Sequence, residues 1–266
     1  MNSSSRKQLP VSLHQHVVEE LGGRIAGGEF GPDAVLPVED DLASQFGVSR
    51  TVVREAIKVL VHKRLLEVRT RTGTRVLPSA VWNNLDPDIL RWRFAGGLDA
   101  KFLSDVTELR QLVEPAAAEL AAARATPAAV RAIEDALHEM MTAVEVDAHI
   151  ATDLRFHSCI LEAADNELLL GLRHSMEGAL NSAFRLLSAQ SKKDRERALA
   201  LHKAVADAIV ARKPEAARAA MLDLVDRWAT DSLRIVHRTH PAKPRARTAP
   251  ASGPKNKRAP PRRRVA

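Results

Sequence analysis

The chain has no tyrosine and, in 266 residues, only six phenylalanines, three tryptophans and one cysteine. A lone cysteine, Cys159, excludes any internal disulfide, and such scarcity fits a reducing cytosol. Its neighbours Phe156, Ile160 and Leu161 are those of an ordinary buried thiol. No apolar run approaches the roughly 20 residues needed to span a bilayer. Residues 1–12 lack the apolar core of a signal peptide. A soluble, cytoplasmic protein with no membrane partner is expected. No internal repeat is present, and from residue 99 onward no alternating strand pattern occurs. Alanine, leucine and arginine are plentiful instead, and all three are strong helix formers. The expected fold class is mainly α, with length enough for two domains.

The formal net charge of +7 is unevenly spread. Residues 238–266 hold ten Lys or Arg and no acid, so the remainder sums to −3. Residues 1–78 carry a net +2 and residues 79–237 a net −5. The 238–266 tail is rich in proline, lysine and arginine with almost nothing apolar, too little to bury a core. It reads either as a nonspecific DNA tether that adds counterion-release affinity or as a solvated tail.

Residues 36–76 carry the most information. A short helix over Glu39–Phe46 meets a turn at Gly47-Val48, and Ser49 stands where an N-cap belongs. The next helix, Arg50–His62, puts Val52, Val53, Ala56, Ile57 and Leu60 on an inward stripe. Ser49, Arg50, Thr51 and Arg54 then face outward from its first turns, as a helix entering the major groove requires. Leu65–Arg69 reads as a strand, and Thr70–Gly73 as a turn flanked by Arg69, Arg71 and Arg75. A helix-turn-helix followed by a basic hairpin is a winged helix. The competing reading, three packed helices of a protein-interaction domain, leaves the hairpin and the arginines without a role.

This segment resembles the N-terminal domain of the GntR family of bacterial transcription regulators. The matching residues are Leu36-Pro37, Glu39, Leu42-Ala43, Val48-Ser49-Arg50, Val53-Arg54-Glu55-Ala56, Leu60 and Gly73-Thr74-Arg75-Val76. The resemblance implies that Ser49, Arg50, Thr51 and Arg54 contact double-stranded DNA, with Thr70 and Arg71 at a wing tip in the minor groove. Two positions depart from it. Asp40 stands where fatty-acid-responsive relatives carry a DNA-contacting arginine, which removes one expected contact. Arg71 replaces the usual wing glycine, an added candidate for a phosphate or groove contact.

The expected organisation is a flexible segment over 1–10, a winged helix-turn-helix domain over 11–78 and a connector over 79–98. A helical bundle over 99–237 and a disordered basic tail over 238–266 follow. The winged domain opens with a helix that repeats Leu13, Val17, Val18, Leu21 and Ile25 and stops at Gly27-Gly28. The connector contains Trp82, Leu85, Ile89, Leu90, Trp92 and Phe94, too apolar for a solvated linker, and is expected to dock. Helices are expected over about 101–125, 127–144, 148–164, 167–187, 194–211 and 214–236, an antiparallel bundle. The second opens at Thr126-Pro127, an N-cap followed by proline at the first helical position.

Inside the bundle, Asp153 and His157 lie four residues apart on one helical face. His202 points inward among Leu199, Val205, Ala206 and Ile209. A carboxylate and two imidazoles converging there suit a divalent metal such as zinc, nickel or manganese. Arg110 and Glu114 share a face of the first bundle helix, and an inward arginine needs an anion, either Glu114 or a carboxylate ligand. By pattern alone, an Asp-x-x-x-His pair also reads as a helix-surface hydrogen bond, and an inward histidine as a satisfied core residue.

Residues 99–236 resemble the FCD ligand-binding domain of the FadR branch of the same family. The likeness lies in Arg110-x-x-x-Glu114, Asp153-x-x-Phe156-His157, Asn166 and His202-x-x-Val205-x-x-Ala208-Ile209. It implies an effector site at Arg110, Glu114 and Asn166 and a metal site at Asp153, His157 and His202. In metal-binding members a third histidine follows the methionine of the last helix by three residues, whereas Met221 is followed here by Leu222, Asp223 and Leu224. Three protein ligands remain, with lower expected affinity. His149 is a conceivable substitute, and a metal-free polar pocket is the alternative. The connector and the Arg110–Pro115 run are similar to galactonate-type regulators of sugar-acid catabolism, which implies a small hydroxylated carboxylate as effector.

The sequence is read as a homodimeric, effector-responsive repressor whose winged helices bind two half-sites of an operator. A metal-dependent hydrolase or lyase with a DNA-binding module is the rival from another class. No nucleophile or acid–base residue stands out beside the Asp153, His157 and His202 cluster to support it, so no catalytic residue is expected. A third reading, a nonspecific chromosome-coating protein, rests on the tail.

Overall fold

The structure is a computed structural model that describes residues 12–96, 100–173, 181 and 192–239. The 1–10 segment, most of the 167–187 helix and the 240–266 part of the tail lie outside the described residues. The winged unit begins with α1 (Leu13–Ala26), capped by Ser12, whose hydroxyl accepts from the Gln15 amide at 3.1 Å. Helices α2 (Glu39–Phe46) and α3 (Arg50–His62) follow. Gly47 joins them in the left-handed conformation, φ 64°, which glycine adopts without a Cβ penalty.

The wing is an antiparallel pair, β1 (Leu66–Arg69) and β2 (Gly73–Val76), in the register Leu66↔Val76 to Arg69↔Gly73. The strand therefore starts one residue later than the sequence suggests. A single bridge from Val35 to Arg75 ties the wing to the segment before α2. At the tip Arg71 takes a left-handed φ of 74°, a conformation that favours glycine.

Residues 79–96 pack as an outer layer of the winged unit. A short 3-10 turn (Ser79–Val81) leads to α4 (Pro87–Ala95), capped by Asp86 with proline at its first position. Trp92 lies flat against α1 at Gly22, where an added Cβ would come 2.5 Å from the ring. Its indole N–H donates to Glu19 at 2.7 Å, and Arg91 forks onto the same carboxylate at 2.7 and 2.8 Å. Lys63, at the end of α3, sits between Asp86 and Asp88 at 2.7 and 2.8 Å. Ile89 and Trp92 join the same buried core as Leu21, Leu42, Val53 and Leu60. A segment this apolar and this well paired packs as part of the domain it covers.

The bundle is built on α5 (Ala100–Arg124), which among the described residues packs chiefly against three other helices. They are α7 (Val146–Ala163), α8 (Lys192–Val210) and α9 (Pro214–Thr239). Helix α6 (Pro127–Thr142) packs on α7 and α8, and a further helical stretch covers 167–173. Short links after α6 and α8 turn each following helix back alongside its predecessor, as in an antiparallel bundle. Ala117, Ala118, Ala121 and Ala122 of α5 are fully buried, and small side chains let neighbouring helices approach closely. Phe94 of α4 and Phe102 of α5 meet in a tilted ring contact at 5.3 Å between centroids, with Arg93 over the Phe102 ring, which links the winged unit to the bundle. Among the described residues no helix is long and apolar enough to cross a membrane.

The Gly22 contact yields a paired expectation. Gly22→Ala should destabilise the winged unit by roughly 1–3 kcal/mol through overpacking against Trp92. Gly23→Ala, with nothing within 4 Å of its added Cβ, should stabilise it by about 0.5–1 kcal/mol. Urea unfolding of the two variants measures both signs.

Candidate functional site

Two sites take shape, one on the surface of α3 and one inside the bundle. On α3, Ser49 caps the helix in extended conformation (φ −73°, ψ 154°), its hydroxyl accepting from the Val52 amide at 3.4 Å. Val53, Ala56, Ile57 and Leu60 are buried as the stripe requires, while Val52 is only half-buried. Ser49, Arg50, Thr51 and Arg54 are exposed on one side, and Thr70 and Arg71 are exposed at the wing tip. The neighbouring arginines are committed elsewhere. Arg69 pairs with Glu67 at 2.6 Å, and Arg75 donates to the Asp33 carbonyl at 2.8 Å.

Both α3 arginines meet acids of α2. Arg54 donates to Glu39 from Nη2 at 2.8 Å and from Nε at 3.2 Å, and this holds the Glu39 carboxyl below its ordinary range. Arg50 forms an ion pair with Asp40 through Nε. The sequence shows Asp40 only as a lost contact, because a pairing between two helices leaves no local pattern.

The interior site joins α5, α7, α8 and α9. Arg110 is fully buried and donates from Nε to Glu114 Oε1 at 2.6 Å and from Nη2 to Oε2 at 3.3 Å. Glu114 Oε2 also lies 2.8 Å from His157 Nδ1. Burial alone would raise the Glu114 carboxyl, but Arg110 and then His157 override it and hold it down at about 2. The Trp228 ring lies beneath the Arg110 guanidinium at 4.6 Å, and Arg110 Nη1 is buried with no hydrogen-bond partner. An always-charged group with one unused N–H edge can receive an anion.

Asp153, His157 and His202 converge with one ligand atom each, all within 4.8 Å of one another. His202 Nδ1 lies 2.8 Å from the Ala198 carbonyl, which can only accept, so that nitrogen carries the proton. Its Nε2 then turns a lone pair toward Asp153 Oδ1 at 2.9 Å. His157 Nδ1 sits beside Glu114 at ion-pair distance without hydrogen-bond geometry, and its Nε2 faces Asp153 Oδ2 at 3.8 Å. Asp153 Oδ2 is buried with no hydrogen-bond partner. A lone pair facing a carboxylate calls for a cation between them, a proton or a metal ion. Anchoring Nδ1 so that Nε2 is presented is also how histidine ligands are oriented in metal sites. Burial pushes the Asp153 carboxyl up, yet His202, followed by His157 and Arg110, carries it below the usual carboxylate range.

A cavity of about 80 Å³ opens beside Arg110 and the Asp153, His157 and His202 cluster. That is room for several water-sized groups, each needing roughly 10–15 Å³. His149 also lines it, half-buried, one helical turn before Asp153. Burial pushes the His149 imidazole down and Asp153 opposes this. Leu224 forms part of the wall, an apolar side chain three residues after Met221. Asn166 lies apart from this group. It is exposed and caps the 167–173 stretch, accepting from the Leu168 and Leu169 amides at 3.0 and 3.2 Å.

Trp228, Arg195 and Arg227 also line the cavity and were not singled out from the sequence. The stripe Ala217, Met221, Leu224, Val225 and Trp228 on α9 is a helical signal that points Trp228 inward. Arg227 is held by Asp231 at 2.7 Å and by Asp194 at 3.3 Å. Arg195, half-buried, has no hydrogen bond or ion pair among the described residues.

Glu114→Gln would leave Arg110 buried and uncompensated, at an expected cost of roughly 3–5 kcal/mol in thermal or urea unfolding. The pH dependence has a definite sign. Because the folded carboxyl is held at about 2 against an ordinary 4.5, its stabilisation is complete above about pH 5 and lost as pH falls toward 2. Melting temperatures measured down that range should show the loss in the native protein and a smaller one in Glu114→Gln.

Comparison with known proteins places these two sites in context. The model of bacterial regulatory proteins of the gntR family matches residues 13–76, and the FCD domain model matches residues 105–227. The chain is 34% identical over 218 residues to the galactonate operon transcriptional repressor of Escherichia coli strain K12, covering 82% of this chain and 95% of the relative. It is 30% identical over 230 residues to the Uxu operon transcriptional regulator of the same strain, covering 83% and 86%. Among solved structures, Lar, which controls the expression of the Listeria monocytogenes agr system, superposes with a TM-score of 0.63. That match covers 84% of this chain and 97% of the other, and its 19% identity speaks to the fold alone. The chain belongs to the GntR family of bacterial transcription regulators, with an FCD domain behind its winged helix.

Proposed function

We propose that this regulator is a homodimeric repressor of carbohydrate-acid catabolism, released from its operator by a small hydroxylated carboxylate bound inside the FCD domain. The observation that carries this reading is Arg110, a fully buried guanidinium with Nη1 unpartnered beside the cavity. The effector carboxylate accepts from that edge, while Glu114 keeps the guanidinium in place from the other side. Kinship with the galactonate operon repressor supports a sugar acid as the ligand class.

Asp153, His157 and His202 are the residues that would hold a divalent cation, with zinc, nickel and manganese as candidates. A bound cation would supply a Lewis-acidic anchor for carboxylate or hydroxyl oxygens. Leu224 offers no fourth ligand, so a bound cation keeps positions open to the effector. On the DNA side, Ser49, Arg50, Thr51 and Arg54 read the major groove of each half-site, with Thr70 and Arg71 beside it. Release follows only if the effector binds more tightly to the arrangement whose wings no longer match the operator.

The test has two arms. Sugar acids are screened by thermal shift with and without chelator, since a ligand of the folded state raises its stability. The ligand is then recovered unchanged, as a receptor requires and an enzyme does not. Arg110→Ala should weaken effector binding by about 10–150-fold, the equivalent of a charge-assisted hydrogen bond worth ~1.5–3 kcal/mol. Arg110→Lys, which keeps the charge but not the fork, should also lose binding while folding normally. Normal inducer response in Arg110→Lys would remove this pocket assignment. A second prediction concerns the cation. Adding zinc, nickel or manganese to chelator-stripped protein should raise its melting temperature, and Asp153→Ala should abolish that rise.

A further inference from the structure

The first turn of α2 is acidic throughout, with Glu39, Asp40 and Asp41. The turn at Gly47 lays this acidic end across the start of α3, so each α3 arginine finds its own carboxylate. Arg54 uses both Nε and Nη2 on Glu39, its whole side edge. Arg50 meets Asp40 through Nε, and among the described residues its terminal Nη groups have no hydrogen-bond partner. Both members of the Arg50–Asp40 pair are exposed on the face that carries Ser49 and Thr51.

A carboxylate on a DNA-reading face is a cost in itself, because phosphates repel it. It is tolerable where it is neutralised or where it serves readout. We propose that Asp40 is a specificity-determining, positioning residue for DNA recognition. Seated against Nε, it holds the Arg50 guanidinium with its two Nη groups outward, the edge that meets guanine O6 and N7 bidentately. It also cancels the Arg50 charge against generic duplex, where affinity comes from phosphate neutralisation. The two effects act in the same direction. Generic binding is weakened, and binding to a site with guanine under Arg50 is not, so the ratio between them rises. A paired arginine also has less rotamer freedom left to lose on docking.

The experiment uses the full-length protein and its Asp40→Asn variant, which preserves shape and removes the charge. Each is put through selection from a randomised duplex pool. Affinity is then measured by fluorescence anisotropy for the selected duplex and for sheared generic duplex, across a salt series. The native protein should select guanine at one position per half-site. Asp40→Asn should bind generic duplex several-fold more tightly and lose roughly tenfold or more in the specific-to-generic ratio. Its log K against log salt slope for generic duplex should steepen by about 0.9 per protomer. In an Arg50→Ala background the same Asp40 change should leave the ratio unmoved, because Asp40 acts through Arg50.

Unchanged guanine preference and salt slope in Asp40→Asn would overturn the proposal, as would an Asp40→Asn effect that survives in Arg50→Ala. Selection of no preferred site by the native protein would overturn the reading of α3 itself. Because the Asp40 change sits on an exposed surface pair, circular dichroism and melting temperature should match the native protein. These controls separate altered recognition from altered folding.

Discussion

One carboxylate, Glu114, stands between two buried partners from two helices. Arg110 stands one turn before it on α5, and His157 faces it from α7. A guanidinium without that partner would be a bare charge in an apolar interior, a penalty no neighbouring contact offsets. With the partner in place, the arginine keeps one N–H edge unpartnered, and the histidine stands between Glu114 and the Asp153 and His202 cluster. Arg110 and the Asp153, His157 and His202 cluster are therefore two ends of one run of close polar contacts. Substituting any member disturbs both, which is why conservative replacements are more informative here than truncations.

The same helix connects this interior to the DNA-binding end. Phe102, near the start of α5, meets Phe94 of α4 in the tilted ring contact, and Arg93 covers it. Helix α4 is in turn fastened to α1 and α3 by Trp92, Arg91 and the Lys63 pairs. Arg110 lies about two turns further along α5 than Phe102. A shift of α5 would thus have a short, packed route to the winged unit. Packed contacts of this kind respond by changing arrangement rather than by deforming gradually.

Charge is organised by the same economy at both sites. Inside the bundle, acids hold cations in fixed poses where solvent is excluded. On α3, acids do so in solvent, where the pairing contributes little to stability and its consequence is geometric. In each case the arginine is left with part of its donor fork unspent, and that remainder is what a ligand or a base can use.

Much was legible from local rules. Ser49 and Thr126 announced helix starts because capping needs only the next few amides. The buried stripe of α3 followed from helical periodicity, and Arg110 with Glu114 followed from i, i+4 spacing. The Asp153, His157 and His202 cluster was legible as inward-facing residue types, with family likeness supplying the grouping. Asn166 was grouped with the effector residues, and the structure places it as an exposed cap, since an asparagine that starts a helix spends its side chain on that helix. The role of Glu114 toward His157, the seat of Trp92 on Gly22 and the pairing of Asp40 with Arg50 left no sequence trace.

By itself, then, the order of residues determined where helices begin, which faces they bury and which chemistries they carry. These depend on interactions within a few residues along the chain. Only the tertiary structure decided which unused hydrogen-bonding edges face the cavity and which acid holds which arginine. Those outcomes depend on how helices far apart in sequence cross, and no local spacing encodes that crossing.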